Sequence, residues 1–243
     1  MKTLLALGCS FTNENWFSKI HPEIDCSFPK WPAIVGDKLG YNVINLSTNG
    51  NSNDAIFKTC QDYLVNNKVD MVCVLWTQST RLNVHDMNNI NWGVSDDKDR
   101  KRQFKIFNID NFERIVKDKE NIMKLANEQL RNIYMLDQLC TYKNIPAYHM
   151  QGCKSFIPDD DEGWEKRHRN YYNAFIHSKY FKILENSSER IWGWPFYKEL
   201  GGVSITDYFY YNGKQDYIIS EKDSHPNAKG QRTIADKFMD IIK

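Results

Sequence analysis

The 243 residues suit one large domain or two small ones, and 41% hydrophobic against 26% charged residues is a globular balance that excludes disordered and fibrous classes. Basic and acidic residues nearly cancel, 32 against 31, so no basic excess marks a nucleic-acid partner, and no apolar run approaches the length of a membrane span. Six scattered cysteines without a C-x-x-C pair read as reduced thiols, mostly buried, rather than a disulfide framework.

In chain order, residues 3–7 form a short apolar run ending at Gly8, which predicts a buried parallel strand. Lys2 before that run imitates a signal peptide, but the run is too short for one, so a cytoplasmic location is expected. Residues 31–39 predict a short helix stopped by Gly40, and 41–46 a second strand. A helix follows over 53–65, opened by Ser52 or Asn53 as cap. The continuous run 71–77 (MVCVLWT) is the clearest strand in the chain.

Residues 78–108 are polar and without a period, and are expected as an irregular insertion. Over 111–142, Phe112, Ile115, Ile122, Leu125, Leu130, Ile133, Leu136 and Leu139 recur mostly at threes and fours, the spacing of one helical face. A fourth strand is expected at 145–150 and a second irregular, aromatic insertion, with only short elements, at about 151–216. A fifth strand is expected at 217–220, followed by an amphipathic helix over 227–242 with Pro226 in its first turn. Alternating strands and helices without a dividing linker predict a single domain over 1–243. Its fold is α/β: a three-layer sandwich around a central, mostly parallel five-stranded sheet.

In such sheets ligands bind beyond the carboxyl ends of the strands. Three strand ends carry unusual polar residues: Gly8-Cys9-Ser10-Phe11-Thr12, then 45–53 (NLSTNGNSN), then Trp76-Thr77-Gln78-Ser79-Thr80-Arg81. A fourth cluster, Asp223-Ser224-His225-Pro226, precedes the last helix. A serine hydroxyl becomes a nucleophile when an imidazole takes its proton, and the imidazole needs a fixed acceptor on its other nitrogen. Asp223 and His225, two apart in an extended segment, would leave the same face and meet.

These segments, spread over nearly the whole chain in order, resemble the blocks of the SGNH (GDSL-like) hydrolases. GCSFT is similar to the block that carries the nucleophile, NLSTNG to the block whose glycine lends an oxyanion N–H, and DSHPNAKG to the block with the catalytic Asp and His. The resemblance implies a flavodoxin-like sheet and a serine esterase, with Ser10, His225 and Asp223 as the triad. Ser10 N–H, Gly50 N–H and the Gln78 amide form the oxyanion hole in that reading, and Thr77 and Arg81 are candidate substrate contacts.

Two departures from the family pattern stand out. The Asp lies two rather than three residues before the His, Lys222 occupying the usual place, and Gln78 stands where the family has an asparagine. The implied substrate is a small-molecule or glycan ester, with no cofactor or metal, and the sequence does not separate a hydrolase from an acyltransferase. The alternative is a catalytically inactive carbohydrate- or protein-binding module on the same fold. Trp92, Trp164, Trp192 and Trp194, in the irregular segments, suit an O-acetylated carbohydrate. The acidic run 159–162 lacks the ligand pattern of a Ca²⁺ loop, and the remaining histidines show no metal spacing.

Overall fold

The computed structural model describes residues 1–79, 81, 119–154 and 164–242. Five strands form one sheet: β1 (Thr3–Leu7), β2 (Asn42–Asn45), β3 (Met71–Trp76), β4 (Ala147–Gln151) and β5 (Ile191–Trp192), in the order β2-β1-β3-β4-β5. Every neighbouring pair is parallel, with Leu5 opposite Ile44 and Val72, and Val74 opposite His149. The expected five-stranded α/β sandwich is thus the observed one.

Its fifth strand is not the expected one. Residues 217–220 make only an isolated antiparallel bridge, Ile218 to Pro226, and the sheet edge is taken by Ile191 and Trp192. Two residues are too few to show a period, so nothing in the sequence marks them as a strand.

Side-chain alternation along each strand sorts the helices into two layers. Leu5, Leu7, Val72, Val74, Trp76 and Ala147 face one core, closed by α2 (Asn53–Asn66), α3 (Lys119–Tyr142) and α4 (Trp164–Ile176). Leu4, Ala6, Met71, Cys73, Leu75, Tyr148 and Met150 face the other, with Trp31 and Val35 of α1 (Trp31–Leu39) and Ile234 and Phe238 of the C-terminal helix. Both faces of β1 and β3 are buried, so these strands read as continuous apolar runs. Each fully buried Leu or Val there contributes about 1.5–3 kcal/mol.

Capping follows the sequence closely in places. Gly40 ends α1 in the left-handed conformation at φ 67°, and the Ser52 hydroxyl accepts from Ala55 N–H at the start of α2. Within 164–216 the chain is more helical than the irregular reading anticipated, forming α4, α5 (Lys179–Glu185) and α6 (Ile205–Tyr211). The last helix, α7, runs over Ala228–Met239, with Asn227 as its cap, and Pro226 precedes that cap instead of entering the first turn. Most of the insertion expected at 78–108, with Phe112, Ile115, the side chain of Ile122, the acidic run 159–162 and His85, lies outside the described residues, as do Thr80, Trp92 and the side chains of Trp164 and His168.

Because all five strands run the same way, the segments after β1, β2, β3 and β4 leave the same edge of the sheet. That edge collects the polar clusters.

Candidate active site

The chain turns sharply on leaving β1. Thr12 and Asn13 N–H both donate to the Cys9 carbonyl, at 2.9 and 3.1 Å, and this tight turn presents Ser10. Gly8 makes the turn possible: a Cβ there would sit 2.1 Å from Thr12 Oγ1 and 3.1 Å from the Leu75 carbonyl. The Trp31 indole N–H, from the first turn of α1, donates to Thr12 Oγ1 and fixes the far side.

Before α7, Ser220 and Asp223 exchange two backbone hydrogen bonds, and Ile219 N–H donates to the His225 carbonyl. That turn holds Asp223 and His225 as the spacing anticipated, with His225 Nδ1 2.6 Å from Asp223 Oδ1. On its other side His225 Nε2 lies 2.8 Å from Ser10 Oγ. A carboxylate only accepts, so Nδ1 carries the proton and the Nε2 lone pair faces the serine hydroxyl. Ser10 and Asp223 are buried and His225 is partly exposed.

Two residues that the sequence reading passed over complete this arrangement. Trp16 stacks on the His225 ring, centroids 4.2 Å apart and planes 22° from parallel, while Phe11 meets it edge-on at 5.4 Å. Ser18 Oγ donates to the second carboxylate oxygen, Asp223 Oδ2, at 2.5 Å. Burial pushes the Asp223 carboxyl up, but the hydrogen bonds from His225 and Ser18 outweigh it and hold the group below the usual carboxylate range. It is therefore ionised at neutral pH. Neither residue carries a local pattern that separates it from an ordinary loop Trp or Ser.

The loop after β2 is tied to the Ser10 turn by amides. Asn51 Nδ2 donates to the Gly8 carbonyl, Asn45 Nδ2 to the Thr12 carbonyl and Asn13 Nδ2 to Asn49 Oδ1. Gly50 lies in this loop at φ 75°, a conformation glycine adopts without strain.

At the end of β3 the expected roles divide. Thr77 is fully buried: its N–H donates to Asn53 Oδ1, and its carbonyl accepts from Asn53 Nδ2 and Gln151 Nε2. It therefore braces the sheet edge, in place of the substrate contact expected of it. Gln78, the next residue, is partly exposed, and its carbonyl accepts from Arg81 N–H. Arg81 is partly buried, with Nε and Nη1 lacking a hydrogen-bond partner among the described residues. Its charge acts on a pair of buried thiols, Cys9 and Cys153. The hydrogen bond with Cys153 holds the Cys9 thiol well below the usual range and outweighs burial, and Arg81 adds to it.

Two of the four tryptophans expected to stack on a sugar, Trp192 and Trp194, pack against other aromatic rings. Trp192 packs edge-on against Tyr208, and Trp194 lies among Phe175, Phe181 and Phe196. An open hollow of about 450 Å³ borders Trp16 instead, walled by residues 14–17 and 22–27. Among the described residues no group of His, Cys, Asp and Glu is arranged to hold a metal ion, and no helix is long and apolar enough to cross a membrane.

No protein-family model and no curated protein matches this chain. Solved structures do. One is a psychrotrophic esterase from Pseudoalteromonas sp. inhibited by monoethylphosphonate, at 15% identity over 99% of this chain and 96% of that one, with a TM-score of 0.50. Another is a member of the lipolytic G-D-S-L family from Veillonella parvula, at 12% identity, 100% and 98% coverage and a TM-score of 0.50. A third is a catalytic mutant of an acetylxylan esterase from Geobacillus stearothermophilus, at 12% identity, 99% and 94% coverage and a TM-score of 0.51. The chain thus has the fold of the G-D-S-L, or SGNH, lipolytic proteins.

Proposed function

We propose that this chain is a serine esterase working over a single domain, residues 1–243. The observation that carries the reading is the unbroken relay from Ser10 Oγ through His225 to Asp223, at 2.8 and 2.6 Å. Those lengths are ordinary for a nucleophile, base and orienting acid at rest.

In the first step Ser10 Oγ attacks the ester carbonyl as His225 Nε2 takes its proton. Asp223 holds the imidazole in the required tautomer and balances the imidazolium that forms. Negative charge gathers on the former carbonyl oxygen, where Ser10 N–H, Gly50 N–H and the Gln78 amide are the assigned donors. A donor of this kind is worth about 3–4 kcal/mol. Collapse of the intermediate returns the proton from His225 to the departing alcohol. A water, deprotonated by the same nitrogen, then releases the acyl group as a carboxylic acid and restores Ser10. Every proton is accounted for by His225, so the reaction calls for no cofactor.

For substrate we put forward a small-molecule or glycan ester, an O-acetyl group on a carbohydrate being the first to test. Trp192 and Trp194 no longer argue for the sugar, and Trp16 and Phe11 are aromatic residues beside the relay. All six cysteines are free thiols, which suits the reducing cytoplasm.

The test is labelling by a fluorophosphonate followed by intact mass, on wild type and Ser10→Ala. A single adduct on wild type that disappears in the variant is the expected result. A folded wild type that takes no adduct refutes the esterase reading.

A further inference from the structure

We propose that Ser18 is a positioning residue of this site, holding the Asp223 carboxylate in the one rotation that offers an oxygen squarely to His225. The inference deepens the esterase reading and rests on it for its catalytic consequence.

The hydroxyl of Ser18 is locked from both sides. Its oxygen accepts from His21 N–H at 2.9 Å, and its proton goes to Asp223 Oδ2 at 2.5 Å. With Ser18 only 1% exposed, no bulk water competes for either bond. A second tie holds the backbone of Asp223, whose N–H donates to Ser220 Oγ at 3.0 Å, and that same oxygen lies 2.8 Å from His21 Nε2. Ser18, Asp223, Ser220 and His21 therefore close a ring of polar contacts around the carboxylate.

The reason such a ring matters lies in the torsion it controls. The terminal torsion of an aspartate is soft and roughly two-fold, so rotation alone does not keep Oδ1 on the imidazole. Remove the Ser18 hydroxyl and Oδ2 is left buried without its donor, which costs more than the bond itself contributed. The carboxylate then turns to share its remaining partners, and the Oδ1 contact with Nδ1 is what it gives up.

Chain geometry supports a joint role for this loop. Trp16 and Ser18 are two residues apart in an irregular segment, and both face the Asp223–His225 turn. One covers the imidazole ring and the other grips the carboxylate, so a single segment sets both partners. Charged or titratable groups around Asp223 are His225 itself, the exposed Glu221 and Lys222 of its own turn, His21 through Ser220, Glu23 against His21 Nδ1, and Lys30 behind the Trp16 ring. Ser18→Ala alters none of their charges, so its effect reads position rather than charge.

The experiment compares wild type, Ser18→Ala and Ser18→Thr by fluorophosphonate labelling rate and by the far-downfield proton NMR signal of His225 Nδ1–H. Thermal melts verify that each variant is folded. We expect Ser18→Ala to label about 10- to 100-fold more slowly, the equivalent of one hydrogen bond to a charged group. Its Nδ1 proton should broaden or vanish through exchange. Ser18→Thr, which keeps the hydroxyl, should restore both signals.

A Ser18→Ala protein that labels at the wild-type rate with an unchanged Nδ1 resonance overturns the inference and leaves the esterase reading intact. Absence of label on wild type itself defeats the esterase reading instead. In that case the Nδ1 resonance alone decides whether Ser18 positions Asp223.

Discussion

Replacing Asp223 by Asn isolates the charge of the relay from its shape. The carboxylate is 4% exposed and accepts from His225 Nδ1, from Ser18 Oγ and, at 3.2 Å, from His225 N–H. An amide of the same size has one acceptor and one donor. If its oxygen faces His225, its NH₂ meets Ser18, whose hydroxyl can turn to accept, and the fold loses little. The imidazolium formed during attack then lacks a counter-charge. If its NH₂ faces His225 instead, Nδ1 must become the acceptor, and Nε2 presents a proton to Ser10 where a lone pair is needed. Either orientation weakens the base.

The expected fall in kcat is about 100- to 10,000-fold, equivalent to about 3–5 kcal/mol of transition-state stabilisation. Stability should change far less, by about 1 kcal/mol or about 2–4 °C in Tm, because the shape and the Ser18 contact survive. The assay is turnover of an activated acetyl ester beside a thermal melt. An Asp223→Asn variant with kcat within tenfold of wild type refutes the role given to the carboxylate. A collapse of Tm matching the loss of activity refutes the separation of charge from shape.

Three further outcomes follow from the packing. Gln231 on α7 is buried, accepting from Trp31 N–H at 2.9 Å and donating to the Phe11 carbonyl at 3.0 Å, so it joins the start of α1 to the Ser10 turn. Gln231→Ala strands both groups and should cost about 2–4 kcal/mol in denaturant unfolding, with a slower Ser10 reaction; a change under 1 kcal/mol counts against it. At Gly230 a Cβ would stand 2.2 Å from the Tyr217 carbonyl, the base of the turn that carries Asp223 and His225. Gly230→Ala should lose about 1–3 kcal/mol and lower activity together, and a variant altered in neither shows that the turn yields freely.

The third concerns acid. The Asp137 carboxyl is pushed up by burial but pulled further down by His149 and Arg190, and Asp223 is likewise depressed. Carboxylates lowered in the folded state add stability above their unfolded value of about 3.9, and this is lost as pH falls through their folded values. Tm should therefore be level above about pH 5 and fall below about pH 4, and Asp137→Asn should flatten part of that fall. An identical acid slope in the variant removes Asp137 from the account.

Much of this molecule was legible because it is local. The buried runs of β1 and β3, the Gly40 stop, the Ser52 cap and the face of α7 each depend on neighbours within a turn or two of chain. The pairing of Asp223 with His225 belongs to the same class, since a spacing of two in extended chain sets the side chains together. Ser10, in turn, was marked by its place after a strand end.

What the tertiary structure decided is what depends on distant segments. Ile191 and Trp192 are a strand only because β4 offers them an edge, and residues 217–220 are not one because their partner is Pro226. Thr77 turned from a substrate contact into a brace when Asn53 and Gln151 closed on its backbone. Trp192 and Trp194 pack against other aromatic rings, while Trp16 and Phe11 meet His225. Ser18 reaches Asp223 across 205 residues of chain, a separation no periodicity records. Local patterns fix which face a residue presents, and only the packed fold fixes what meets that face.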